Sequence, residues 1–237
     1  MPGIARYPAA NAFATFSDAA DSVYGTGMDG DATLDGSTTV LSMAPSASVY
    51  TMTKDLYFNN LTINTSVRLN PAGYRIFVKN LLTFAGNNAT IGFTTGFSTA
   101  GSIYQGGAAA TAVTHSLGGS ATGYTATAPT DALGGSGYFK VGPQAITGYS
   151  ITASGGPTWL RGGAGGSGQA GGGVVILAAR YIAGPASGST AYIKAPGTAP
   201  AGGGVIIVVS TGASLPSTVS TDVTGQNAGT YNYIQLV

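Results

Sequence analysis

The strongest constraint on this chain is a repeat. Gly171-Gly-Gly-Val-Val-Ile-Leu177 recurs 31 residues later as Gly202-Gly-Gly-Val-Ile-Ile-Val208. The aliphatic run after each glycine triplet is short and mostly β-branched, which favours a strand over a helix. Each copy is too small to bury its own apolar face, so the copies need one another. A period of this size predicts a stacked solenoid or a sheet of similar hairpins. Val205–Val209 is apolar at every position, a pattern expected where both faces of a strand are covered. Arg180-Tyr-Ile-Ala-Gly184 and Ala191-Tyr-Ile-Lys194 read as further short strands, and so does Tyr231-Asn-Tyr-Ile-Gln-Leu-Val237. Because a chain like this has little room for one thick core, its apolar faces are expected to be covered by sibling subunits. A homotrimer is the expected assembly.

The stretch from Thr38 to Phe93 carries the same signal in a different spelling. Leu56-Tyr-Phe-Asn-Asn-Leu-Thr-Ile63, Ser66-Val-Arg-Leu69, Tyr74-Arg-Ile-Phe-Val-Lys79, Leu81-Leu-Thr-Phe84 and Thr90-Ile-Gly-Phe93 read as strands. Turns are expected at Asn70-Pro-Ala-Gly73 and Ala85-Gly-Asn-Asn88. Alternation at Val67 and Leu69, and at Tyr74, Ile76 and Val78, places apolar side chains on one face. Asn at the turns suits left-handed backbone. The expected fold class is all-β: a short-stranded β-sandwich or β-solenoid with Gly-rich loops, in an oligomer.

Four regions follow. Residues 1–27 read as an irregular N-terminal arm, with Phe13 and Phe16 as anchors to a neighbour. Residues 28–93 form a strand-rich module, and 173–237 a C-terminal β module containing the 31-residue repeat. Residues 94–172 are dominated by Gly, Ala, Thr and Ser with isolated Tyr. A flexible linker is one reading of them. Recurring aromatics favour the other, ordered packing in which glycine lets extended segments touch.

Charge excludes several functions. Only 7% of residues are charged, against roughly 25% in an average soluble protein, and the acids are eight Asp with no Glu. The net charge is +1, and Arg68, Arg75 and Lys79 are the nearest thing to a basic cluster. Nucleic-acid binding, which needs a concentrated cationic patch, is not expected. There is no cysteine, so neither a disulfide framework nor a thiolate metal site is expected. Residues 1–24 lack the pattern of a secretory leader, and the aliphatic runs are far too short to span a bilayer. A chain exposed outside the cell without such a leader leaves by another route, of which virion assembly followed by host lysis is one.

The strand run at residues 56–79 and the two glycine–aliphatic blocks resemble modules of glycine-rich bacteriophage structural proteins. Tail-fibre and spike adhesins and head-decoration proteins are the kinds meant. The resemblance spans roughly residues 28–93 and 160–210 and is one of style. It implies a β-helical or β-sandwich fold, an oligomer, no enzymatic activity and a place on the virion. Other virion proteins, further copies of the chain and a host surface glycan are the partners it implies.

Catalytic candidates are thin. His115 is the single histidine; Ser116 or Ser120 with Asp131 would complete a triad only in composition, since no nucleophile elbow surrounds them. No catalytic residue is expected. Asp29, Asp31 and Asp35 offer hard oxygen ligands for Ca²⁺ at a spacing that departs from the EF-hand loop. As a carboxylate pair for glycoside cleavage they lack Glu and an aromatic platform. Asx-turn capping is the favoured reading of these three. No other cofactor is expected. Tyr104, Tyr124, Tyr138, Tyr149 and Trp159, set among Gly, Ser and Thr, are candidates for a glycan- or protein-binding surface or for subunit packing.

Overall fold

The computed structural model describes residues 23–93, 172–197, 202–225 and 228–236, together with the backbone of short strands in the intervening region. Its strands are β1 (Gly30–Leu34), β2 (Val49–Thr51), β3 (Leu56–Ile63), β4 (Arg68–Asn70), β5 (Arg75–Phe84) and β6 (Thr90–Gly92). After them come β7 (Val113–Thr114), β8 (Ser120–Ala121), β9 (Thr125–Ala126), β10 (Tyr149–Thr152), β11 (Gly156–Trp159) and β12 (Gly165–Gly166). The last five are β13 (Val174–Ala183), β14 (Ala191–Lys194), β15 (Val205–Ser210), β16 (Val219–Asp222) and β17 (Thr230–Gln235). Helical backbone among the described residues is confined to Val23–Tyr24. The expected all-β class holds.

Two sheets carry the fold, and both are parallel throughout. One runs β1-β3-β5-β13-β15-β17 and the other β16-β14-β6-β4-β2. The chain therefore alternates between sheets, and each return lays a strand beside the previous one in the same direction. The 31-residue repeat is this stacking made visible: Val174 lies opposite Val205, Ile176 opposite Ile207 and Ala178 opposite Val209.

Several expected strand ends are bends instead. Arg75–Lys79 and Leu81–Phe84 belong to the single strand β5, with Tyr74 just before it, and Arg180–Ala183 continues β13. In each long strand the register shifts at the same level, around Asp31, Asn59-Asn60, Lys79-Asn80 and Arg180. The bend is tied by side-chain amides: Asn80 Nδ2 donates to Asn59 Oδ1 at 2.7 Å, and Asn59 Nδ2 to Asp31 Oδ1 at 2.7 Å. Asn was expected to supply left-handed turn positions. Among the described non-glycine residues with positive φ only Asn88 is Asn; Leu41, Ser42, Ala47, Ser48, Ser66 and Ala72 hold the others.

Alternation sorts the side chains into two layers. Inward, Leu56, Ile76, Leu177 and Val208 form one column across four strands and join Tyr50, Leu69, Ile91 and Ile193 of the opposite sheet in the main core. Outward, Ile176 and Ala178 of β13 and Val205, Ile207 and Val209 of β15 form a second apolar cluster with Tyr24 and Phe77. This is why Val205–Val209 shows no alternation: every residue is buried, on one face or the other. Each such side chain contributes about 1.5–3 kcal/mol relative to an exposed one. The outward residues of β13 and β15 up to Ala178 and Val209 are thus buried as well as the inward ones.

The corner leading from the five-stranded sheet back to the six-stranded one is made by residues 52–55, 71–74, 195–204 and 223–229 in four of its passages, and by 93–173 in the fifth. The long passage does not interrupt the stack, because β13 pairs directly with β5. Its two ends touch: the Phe93 ring lies against Gly173, and Phe93 N–H donates to the Lys194 carbonyl at 2.9 Å. Residues 94–171 are an insertion at one corner. Replacing them with a Gly/Ser linker of about eight residues, a common loop length, should leave a cooperatively unfolding β protein by circular dichroism; loss of cooperative unfolding would contradict the insertion.

Candidate binding surface

The three acids proposed as Ca²⁺ ligands sit at the start of the stack, on or beside its edge strand β1. Asp29 Oδ2 accepts from Tyr57 N–H at 2.7 Å, extending the pairing of β1 with β3. Asp31 Oδ1 accepts from Asn59 Nδ2, Asn60 N–H and Asn60 Nδ2. Those amides, Asn59 first, hold the exposed Asp31 carboxyl below the usual carboxylate range. Asp35 accepts from Ser37 N–H and Thr38 N–H, both at 2.8 Å, and from the Thr38 hydroxyl at 2.9 Å, an Asx-turn. The Tyr50 hydroxyl lies 3.0 Å from Asp35 Oδ1 and 2.8 Å from the Thr38 carbonyl, and it accepts from Gly36 N–H. The backbone N–H groups of Thr38 and Ser37 are the main cause of a strongly lowered Asp35 pKa. Each carboxylate thus has its own donors, and no group of three or more His, Cys, Asp or Glu able to hold a metal forms among the described residues.

Of the aromatic candidates, Tyr104, Tyr124 and Tyr138 lie outside the described residues, as do His115, Ser116 and Asp131. Tyr149 and Trp159 are brought together: they are opposite partners in the antiparallel pair β10–β11. Ser120 falls on β8.

A different surface is the better-formed one, on the six-stranded sheet beyond the bend. Thr33, Thr62 and Thr83 stand opposite one another on three successive strands, an outward column of hydroxyls about 4.8 Å apart. In the adjacent outward column Leu81 lies opposite Tyr181, and these are 38% and 53% exposed. The Arg180 guanidinium lies 5.6 Å from the Tyr181 ring centre, a cation–π distance. A flat exposed ring beside a cation and a row of hydroxyls can stack on a sugar's C–H face while bonding its hydroxyls. Sequence reading missed this grouping because its members are separated by 20 to 30 residues or more. The spacing between Thr62 and Thr83 and between Leu61 and Leu82 was the available signal.

No family model, curated protein or solved structure matches the chain.

The lowered Asp35 pKa has a sign. The fold prefers the carboxylate, so its stabilisation is complete above the unfolded pKa of 3.8 and is lost as pH falls towards the lower folded value. Thermal midpoints measured from about pH 5 to about pH 2 should fall for the natural protein and fall less steeply for Asp35→Asn. Parallel curves would contradict the assignment.

Proposed function

We propose that this protein is a non-enzymatic β-solenoid of a bacteriophage surface, a head-decoration or tail-fibre and spike component that self-associates, with a homotrimer as the functional unit. Each rung contributes one strand to each sheet, and the corner between β6 and β13 carries the inserted segment 94–171. The observation that supports this reading most is the unbroken register from β5 to β13 beneath so long an insertion: a rigid stack serves as a stem for a displayed segment rich in Gly, Thr and Tyr. The hydrogen bonds that occupy Asp29, Asp31 and Asp35 support a structural role for these acids over a catalytic one. The location follows from the resemblance in style to phage structural proteins, and with it the expectation that the protein is released with virions on host lysis.

A second reading, a receptor-binding adhesin for host surface glycans, is favoured by Tyr181, Arg180 and the Thr33–Thr62–Thr83 column. Both readings meet the same experiment. Antibodies against the full chain should decorate particles released from cells that carry its gene, and light scattering at micromolar concentration should give the mass of three chains. Unlabelled particles would overturn the virion assignment, and a stable monomer the trimer. Binding to host envelope glycans that Tyr181→Ala weakens would favour the adhesin.

A further inference from the structure

Two buried hydrogen-bond donors on the outward face have no acceptor. The Tyr24 hydroxyl and Arg180 Nε are both shielded from water, and neither has a hydrogen-bond partner. They lie close together. Gly25 presses on Phe77, which stands opposite Ala178 of β13, and Tyr24 shares the outward cluster with Ala178. Arg180 is two residues further along the same strand. Burial first, and then Tyr233, push the Tyr24 hydroxyl up to about 12, while the Arg180 guanidinium pulls the other way. The hydroxyl therefore keeps its proton at neutral pH and can donate it. An arginine Nε–H can only donate.

A buried donor left unpaired is costly, and a charged one more so. The charge here is also unbalanced, since Arg180 forms no ion pair with any described residue. The missing partner is an acceptor that carries negative charge. A carboxylate fits, because its two oxygens match the fork of a guanidinium and leave lone pairs for a hydroxyl. Arg180 is half-buried and Tyr181 is 53% exposed, so the two donors lie at the margin of the accessible surface. What carries the carboxylate is indicated by that surface. The Tyr181 ring flanks the guanidinium. Thr83 lies one strand over and two residues along from Tyr181, about 8 Å away, at the near end of the hydroxyl column.

We propose that this surface binds an acidic sugar of the uronic-acid type, its carboxylate held by Arg180 and the Tyr24 hydroxyl and its ring against Tyr181. Hydroxyls of the neighbouring sugar meet Thr83 and Thr62. The inference rests on the adhesin reading and narrows it from host glycans in general to those that bear carboxylates. Arg180 and Tyr24 select the charge, while Tyr181 and the threonines supply contacts that a neutral sugar would share.

Calorimetric titration of the full-length protein tests this with two probes. One is an oligosaccharide containing glucuronic acid, and the other is the same oligosaccharide after its carboxyl groups are reduced to alcohols. The acidic form should bind about 10-fold more tightly or better. Arg180→Gln should bring the two forms to equal affinity, and Tyr24→Phe should weaken the acidic form about 3- to 10-fold. Tyr181→Ala should weaken both forms alike. Because the Tyr24 hydroxyl has no partner in the fold, Tyr24→Phe should leave the Tm of the ligand-free protein unchanged or slightly raised. Equal binding of the two forms by the natural protein would overturn the acidic-sugar inference and leave the adhesin reading standing. Binding of neither would overturn both. A drop of about 3 °C in the ligand-free Tm of Tyr24→Phe would mean that the chain itself supplies the acceptor, which also overturns the inference.

Discussion

Everything in this fold depends on how closely the backbone can approach itself at one corner. Parallel strands stack about 4.8 Å apart, and where the chain turns from one sheet to the other the passing segments touch without side chains between them. A Cβ on Gly204 would lie 2.0 Å from the Gly173 carbonyl oxygen, and one on Gly172 would lie 2.1 Å from that of Ala195. Gly203 and Gly229 meet Val223 and Gly204 in the same way. Hydrogen bonds run through this contact: Gly204 N–H donates to Ala195, Val205 N–H to Gly173 and Thr230 N–H to Gly204. The glycine triplets set the register of the aliphatic runs that follow them, so the core columns inherit their alignment from the corner.

That dependence explains what was legible in the sequence. The 31-residue repeat is a spacing between stacked strands, and it held residue for residue from Val174–Val205 to Ala178–Val209. The unalternating Val205–Val209 correctly announced a strand covered on both sides. The period in the first half was hidden because its rungs are shorter and unequal: Leu56 pairs with Ile76, and Val49 with Arg68. Without a constant period, short strands looked like hairpins, and the parallel arrangement could not be told from an antiparallel sandwich.

Polar residues were harder to read, because their roles depend on neighbours one rung away. Asn59 and Asn60 look like an interruption of an apolar strand, yet they bridge Asp31 on one side and Asn80 and Leu81 on the other. Asp35 has a local signature, an Asx-turn with Thr38, and that reading could be made from sequence; its contact with the buried Tyr50 could not. The surface at Tyr181 was invisible for the same reason, since a column across strands has no sequence-local pattern. The polar skin thus reinforces the stack that the glycine corner makes possible.

The most direct test compares two glycine-to-alanine substitutions by thermal unfolding. Gly204→Ala places a methyl group against backbone that cannot move without breaking the stack, whereas at Gly188, with φ +87°, a Cβ meets nothing within 4 Å. Gly188→Ala should cost only the strain of a left-handed residue, about 1–2 kcal/mol, while Gly204→Ala should lower stability by several times as much or prevent folding. Equal effects from the two substitutions would contradict the claim that backbone contact at this corner sets the fold.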